Sequence, residues 1–192
     1  MKFHPHLITS VTGILLEWMK TGRYIDQLIE SDFRGNKRRG ANDRRFIAQM
    51  TYDAVRYWRL LWAVTGKDPS PDPASVHTIL SVLFLIKEKS IPSLREFEGL
   101  PVEDYKKRYE LSLTDRSLRE SIPEWLDQYG ALQLQDRWEA EVVAMNNPAP
   151  VVIRVNLLKS DPATLQAELA GEGVETTESD LADAGLILTE RK

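Results

Sequence analysis

Between Arg34 and Arg59 the chain carries eight cations, Arg34, Lys37, Arg38, Arg39, Arg44, Arg45, Arg56 and Arg59, against two acids, Asp43 and Asp53. Guanidinium groups pair with phosphate through planar, multi-donor geometry, and each phosphate neutralised adds a salt-dependent increment of affinity. Tyr52 stands among these arginines and Tyr57 beside them. The chemistry on offer is recognition of RNA or another phosphate. The competing reading spends the same arginines on a solvated helix face or on the carbonyls of a neighbouring element.

The whole chain has a formal net charge of −4, so a nucleic-acid role rests on this local patch alone. Residues 160–192 behave oppositely, with eight acids against Arg191 and Lys192. Their spacing fits no metal-ligand motif, and they read as solvated surface. There is no cysteine, which removes disulfides, thiolate metal sites and cysteine nucleophiles together. His4 and His6 flank Pro5 without a third ligand nearby, and His77 reads as a packed or capping histidine; no metal site is expected. No phosphate loop, serine-nucleophile elbow or zinc-protease motif occurs, and the lone Gly171-Glu172-Gly173 sits at a helix end rather than after a strand. The longest apolar run, Ile79 to Ile86, is far shorter than the roughly 20 residues a membrane span needs. The expected compartment is the cytoplasm, with no membrane partner.

The elements that must position the basic patch are helical. Residues 6–30 read as two helices broken at Gly22, and residues 34–41 as a glycine-bounded basic loop. One long helix is expected from Asn42, as N-cap, to Thr65, stopped by Gly66. On it Ile47, Met50, Ala54, Trp58 and Leu61 share one face, while Arg45, Gln49, Tyr52, Arg56 and Arg59 share the opposite one. The apolar stripe must pack inward, which turns the arginine stripe toward water or a partner. A strongly apolar helix at 74–89 reads as the centre of the core. Shorter helices are expected at 93–98, 102–112, 114–120, 123–129 and 131–145.

The texture changes at Asn146-Asn147-Pro148-Ala149-Pro150, a turn-and-linker signal. A strand at 151–155, a helix at 161–170 capped by Asp161 and started by Pro162, and strands at 174–177 and 186–189 follow. The fold class is therefore mainly α: a helical domain over 1–146, then the start of a small α+β domain over 147–192. A β-α-β-β order ending at Lys192 leads us to expect truncation inside the second domain.

Ser121-Ile122-Pro123-Glu124-Trp125-Leu126, followed by Ala149-Pro150-Val151-Val152-Ile153-Arg154-Val155-Asn156 and Leu158-Lys159, resembles the join in Sun/Fmu-type (RsmB-like) RNA cytosine-C5 methyltransferases. There a Ser-x-Pro-x-Trp-Leu segment precedes an Ala-Pro-x-x-Leu-Arg-Val-Asn strand; Ile153 replaces the usual leucine. Asp43-Arg44-Arg45-Phe46-Ile47 and Tyr52-Asp53-Ala54-Val55-Arg56 resemble the matching helix of the NusB-like domain that many members carry. The resemblance implies a NusB-like bundle, an RRM- or ferredoxin-like α+β domain, and then a catalytic domain that uses S-adenosylmethionine and two cysteines.

This chain has no cysteine and no glycine-rich cofactor loop, so no catalytic residue carries over and no cofactor is expected in it; S-adenosylmethionine is implied for the parent enzyme only. The Arg-Val-Asn strand makes Arg154 and Asn156 candidates for RNA contact or for docking the missing catalytic domain. An equal reading makes them structural, holding the loop after the strand. Ser121, Pro123 and Trp125 are expected to cap, start and anchor a helix. The function implied is the RNA-binding, substrate-orienting part of a methyltransferase acting on ribosomal RNA, with Lys37, Arg38, Arg39, Arg44, Arg45, Arg56 and Arg59 as the RNA face. The alternative is a free-standing NusB-like adaptor that binds RNA or protein in transcription.

Overall fold

A computed structural model describes residues 5–189; His4, Glu190, Arg191 and Lys192 lie outside the described residues. The chain divides into two compact units, Met1–Ala140 and Glu141–Lys192. The division falls inside a helix, ahead of the Asn146–Pro150 turn. The architecture is a helical bundle followed by a small α+β unit, as the hydrophobic periodicity predicts.

The first unit contains α1 (Pro5–Thr21), α2 (Ile25–Gly35), α3 (Ala41–Arg56), α4 (Trp58–Thr65), α5 (Pro73–Glu88), α6 (Val102–Ser112), α7 (Arg116–Arg119) and α8 (Glu124–Leu134). A ninth helix, α9 (Trp138–Asn146), begins in it. The expected helix at 93–98 is only a 3-10 turn, Arg95–Phe97. α5 is apolar around its whole circumference, and Val76 and Ile79 to Phe84 are buried, as a central helix requires. Asp72 caps it, accepting the Ser75 N–H at 2.9 Å, and Pro73 fills the first turn. His77 lies half-buried on this helix, and burial holds its imidazole pKa below the ordinary value. Around α5 pack α1, α3 and α4, which contribute Leu15, Ile47 and Leu61 to the same core, while α6 packs on α4. Full burial of each such aliphatic side chain contributes about 1.5–3 kcal/mol.

The long helix expected over 42–65 is two helices. Tyr57, at φ −96° and ψ 21°, separates α3 from α4, and Gly40 rather than Asn42 is the N-cap. The break has a visible cause. Ser121 Oγ accepts the N–H groups of Arg59 at 3.1 Å and Leu60 at 3.4 Å, which an unbroken helix would send to Val55 and Arg56. A side chain inserted into the backbone ladder is a recognised source of a kink.

Two further expectations change in α8 and α9. Gly130, expected between two helices, lies inside α8, and the break comes at Gln135, where φ is +48°. Trp125, expected to anchor its helix in the core, is 66% exposed; Trp138 is the buried tryptophan, 5% exposed. A Cβ on Gly130 would stand 2.4 Å from the Trp138 indole, so glycine here permits close packing rather than a turn. The indole Nε1 donates to Asp127 Oδ1 at 2.8 Å, and Arg116 Nε donates to the same oxygen at 2.6 Å.

The second unit places β1 (Val152–Arg154), α10 (Pro162–Gly171), β2 (Thr176–Glu178) and β3 (Gly185–Leu188) after the end of α9. The strand order is β1-β3-β2, and both pairings are antiparallel. β1 and β2 are therefore parallel to each other with β3 between them, which makes β1-α10-β2 a split β-α-β unit. Arg154 lies opposite Gly185 and Ile153 opposite Leu186. Asp161 caps α10 by accepting the Thr164 N–H at 2.9 Å. α10 lies against β2 and β3, and Val155 and Leu186 are buried.

Candidate nucleic-acid interface

The basic segment is not a free loop. α2 extends through Arg34 to Gly35, and a short turn at 36–38 leads toward Gly40 and α3. Asn36 closes α2, its backbone N–H and its Nδ2 both donating to Asp32 O, at 3.1 and 2.9 Å. Two arginines then hold the turn from within. Arg39 donates to the Asp32 carboxylate and to Ser10 Oγ, and its side chain is only 13% exposed. Arg44 lies 5.6 Å above the Phe33 ring and donates to Lys37 O at 3.4 Å.

The remaining cations divide by role. Lys37 and Arg38 are exposed at the turn and line a groove of about 640 Å³ with Arg34 and His6. Among the described residues, Asp43 is the one acid on that groove's lining. Arg34 is exposed and pairs with Glu30 at 2.6 Å, one turn back on the same helix. Arg45 and Arg56 are exposed on α3, as their shared face predicts. Tyr52 lies on this face too, but its hydroxyl donates to Asp26 on α2. That bond to an anionic acceptor, reinforced by burial, pushes the phenol pKa up to about 12.

Arg59 stands apart from the others. Its guanidinium donates to Ile122 O at 3.0 Å and to Glu124 Oε1 at 2.7 Å. It ties α4 to the chain entering α8, the carbonyl-bonding role that competes with phosphate contact. The structure thus collects Lys37, Arg38, Arg45 and Arg56 as exposed cations of the α2–α3 region and engages Arg39, Arg44 and Arg59 in internal contacts. Nothing in the local sequence signals this split, because the partners Ser10, Ile122 and Glu124 are 29 to 65 residues away in the chain.

Arg154 and Asn156 lie in the second unit. Arg154 is exposed on β1. Asn156 Oδ1 accepts the Leu158 N–H at 3.1 Å, and its backbone carbonyl accepts the Lys159 N–H at 2.8 Å. Asn156 therefore shapes the turn between β1 and α10, as a side chain that bonds locally to the backbone does. Among the described residues no group of three His, Asp or Glu side chains is placed to hold a metal ion. No helix among them is long and apolar enough to cross a membrane.

The split β-α-β topology is the hallmark of a ferredoxin-like domain. Residues 122–192 match the family of ferredoxin-like domains of RsmF/B-like methyltransferases. This region is similar to the RsmF/B-type ferredoxin-like domains. The match falls on the Pro123–Leu126 and Ala149–Lys159 segments that carry the sequence resemblance, and bears that resemblance out. The ferredoxin-like match also takes in α8 and the 3-10 turn after it, which belong to the first compact unit. The fold of the whole chain is similar to the crystal structure of PH0851, with a TM-score of 0.63 at 16% identity. That similarity covers 100% of this chain and 50% of the other, so the chain spans half the length of that protein. No curated protein sequence matches the chain.

Proposed function

We propose that this chain is the RNA-holding, substrate-orienting part of an S-adenosylmethionine-dependent RNA cytosine-C5 methyltransferase that acts on ribosomal RNA. The observation that carries the reading is that one chain joins a region similar to RsmF/B-type ferredoxin-like domains to a helical unit whose α2–α3 turn presents Lys37 and Arg38 at the surface. Arg39 and Arg44 support it from below: by fixing the turn they hold the exposed cations in place, so less ordering entropy is lost when a phosphate binds. RNA affinity in such a site comes chiefly from counterion release.

The methyl donor does not fit the described residues. Gly171-Glu172-Gly173 closes α10 instead of following a strand, and the sheet is antiparallel with no strand-to-helix glycine loop. With no cysteine, the chain also lacks the thiolate that the reaction needs. The chemistry is therefore assigned to a catalytic domain outside these residues, and the role proposed here is to bind and orient RNA for it.

The test is a titration of the purified chain with ribosomal RNA at 50, 100 and 200 mM salt. Affinity is expected to fall steeply, on the order of 10²-fold across that range when about four to five phosphates of a single strand are neutralised. Absence of binding at 50 mM salt would remove the RNA reading and leave a protein-binding adaptor.

A further inference from the structure

Away from the basic turn, Trp18, Met19, Gly22, Trp58, Pro69 and Pro71 line a cleft of about 400 Å³. Two indoles make its corner. Trp18 of α1 and Trp58 of α4 stand 4.8 Å apart between centroids with their planes at 88°, and Trp58 meets the buried Trp62 edge-on at 5.4 Å. The apolar stripe would send Trp58 fully inside, yet both corner tryptophans are only half-buried. The other wall is proline. Pro69 and Pro71 are exposed and belong to Asp68-Pro69-Ser70-Pro71-Asp72-Pro73, where each proline confines the residue before it to extended backbone. Asp72, at φ −124° and ψ 153°, shows this directly. No lining side chain is charged. Apart from the weakly accepting Met19 sulfur, the only polar side-chain atoms are the two indole nitrogens, which donate and do not accept. Trp138 gives its N–H to Asp127, but among the described residues the N–H groups of Trp18 and Trp58 have no protein acceptor.

We propose that this cleft binds a proline-rich segment of a partner protein in the polyproline II conformation. A prolyl ring fills the Trp18–Trp58 corner, and carbonyls of the segment accept the two indole N–H groups. Proline carries no backbone N–H, so such a segment offers apolar rings and carbonyl acceptors with hardly a donor. That is the complement of a lining whose side chains supply apolar surface and donors. Recognition of proline-rich segments by aromatic-lined grooves follows this chemistry. A polyproline II ligand is extended before it binds, and the indoles are braced by their ring contacts, so little ordering entropy is lost. An uncharged lining gives a phosphate nothing to pair with, which argues against a nucleic acid here and sets the cleft apart from the basic turn. The inference goes beyond the RNA reading and does not rest on it.

The experiment follows the indole N–H signals of the isotope-labelled chain by two-dimensional NMR. Its five tryptophans give five signals, assigned with Trp18→Phe and Trp58→Phe, or by sequential assignment of the wild type should a variant fail to fold. The probes are decaproline, a Gly-Ser peptide of the same length and an oligouridylate of ten nucleotides. Decaproline is expected to move the Trp18 and Trp58 signals saturably. It should leave in place Trp138 and Trp125, which is 66% exposed but has no proline wall beside it in this cleft. The Gly-Ser peptide should move none of the five. Trp58→Phe keeps a ring and loses one donor, and should weaken decaproline binding, read at the Trp18 signal, by about three- to ten-fold. Corner signals that decaproline leaves unmoved would overturn the proposal. So would an equal movement of Trp125, which would mean general adhesion to exposed rings. Movement of the corner signals by oligouridylate as readily as by decaproline would overturn it too, and make the cleft a nucleobase site.

Discussion

Ser121 Oγ accepts the backbone N–H of Arg59 at 3.1 Å, across 62 residues of chain. The bond caps α4 from outside and accounts for the separation of α3 from α4. Ser121 itself sits at φ +56°, a left-handed conformation that costs a non-glycine residue roughly 1 kcal/mol. Ser121→Ala should therefore destabilise the chain by about 1 kcal/mol, the usual worth of such a cap, seen as a melting temperature lower by roughly 2–4 °C. Ser121→Gly loses the same hydroxyl but suits the backbone, and should fall between the alanine variant and wild type. Identical melting of all three proteins would show that the cap contributes nothing.

Arg38 and Arg39 are neighbours with opposite duties. Arg39→Ala leaves Asp32, 17% exposed, without its cation and Ser10 without its donor. We expect a loss of about 2 kcal/mol, in the range for a largely buried charge that loses its partner. Arg38→Ala, at an exposed turn position, should leave stability within about 0.5 kcal/mol of wild type. Urea unfolding of the two variants side by side checks this, and equal midpoints would contradict the division of roles.

Gly130 and Trp138 predict a steric result. Gly130→Ala would put a methyl group 2.4 Å from the indole, so the ring must shift and release its 2.8 Å bond to Asp127. Overpacking of this kind costs about 1–3 kcal/mol. A change in the near-ultraviolet tryptophan dichroism should accompany the lower melting temperature. An unchanged spectrum would mean that the indole is not held as described.

Asp127 carries a pH signature. The Arg116 guanidinium bonded to it, helped by the Trp138 N–H, holds its carboxyl below the ordinary aspartate value against the opposing effect of burial. A depressed folded-state pKa adds stability that is complete above the unfolded value of about 3.9 and is lost as pH falls below it toward the folded-state pKa. The melting temperature should therefore drop as pH is lowered from about 5 to about 3. Asp127→Asn should start less stable and show a shallower drop over that window. Parallel pH profiles for the two proteins would assign the acid sensitivity elsewhere.

What could be read from residues alone was what is encoded locally. Asp161-Pro162 starts α10 as its types require, and the Ile47, Met50, Ala54 and Leu61 stripe is buried. The errors come from residues whose meaning depends on distant partners. Gly130 looks like a helix break until Trp138 is seen against it. Trp125 and Trp138 are equally apolar on paper, and only packing decides that the second is covered. Ser121 was expected to cap the helix that follows it, but it caps one that precedes it by more than 50 residues. The basic face is legible as a set of charges, while the loss of Arg39 and Arg59 to Asp32, Ile122 and Glu124 is not, because helical spacing carries no information about what another element brings to the same surface.

The central claim, that the exposed cations of the α2–α3 region hold RNA, is tested most directly by charge reversal where the structure leaves the fold untouched. Lys37→Glu, Arg38→Glu and Arg45→Glu together should leave the helical circular dichroism unchanged. They should weaken binding to ribosomal RNA by at least about ten-fold at 100 mM salt and reduce the slope of log affinity against log salt by about 2, some 0.7 for each phosphate no longer neutralised. A triple variant that is folded and binds with the wild-type affinity and salt slope would contradict the account.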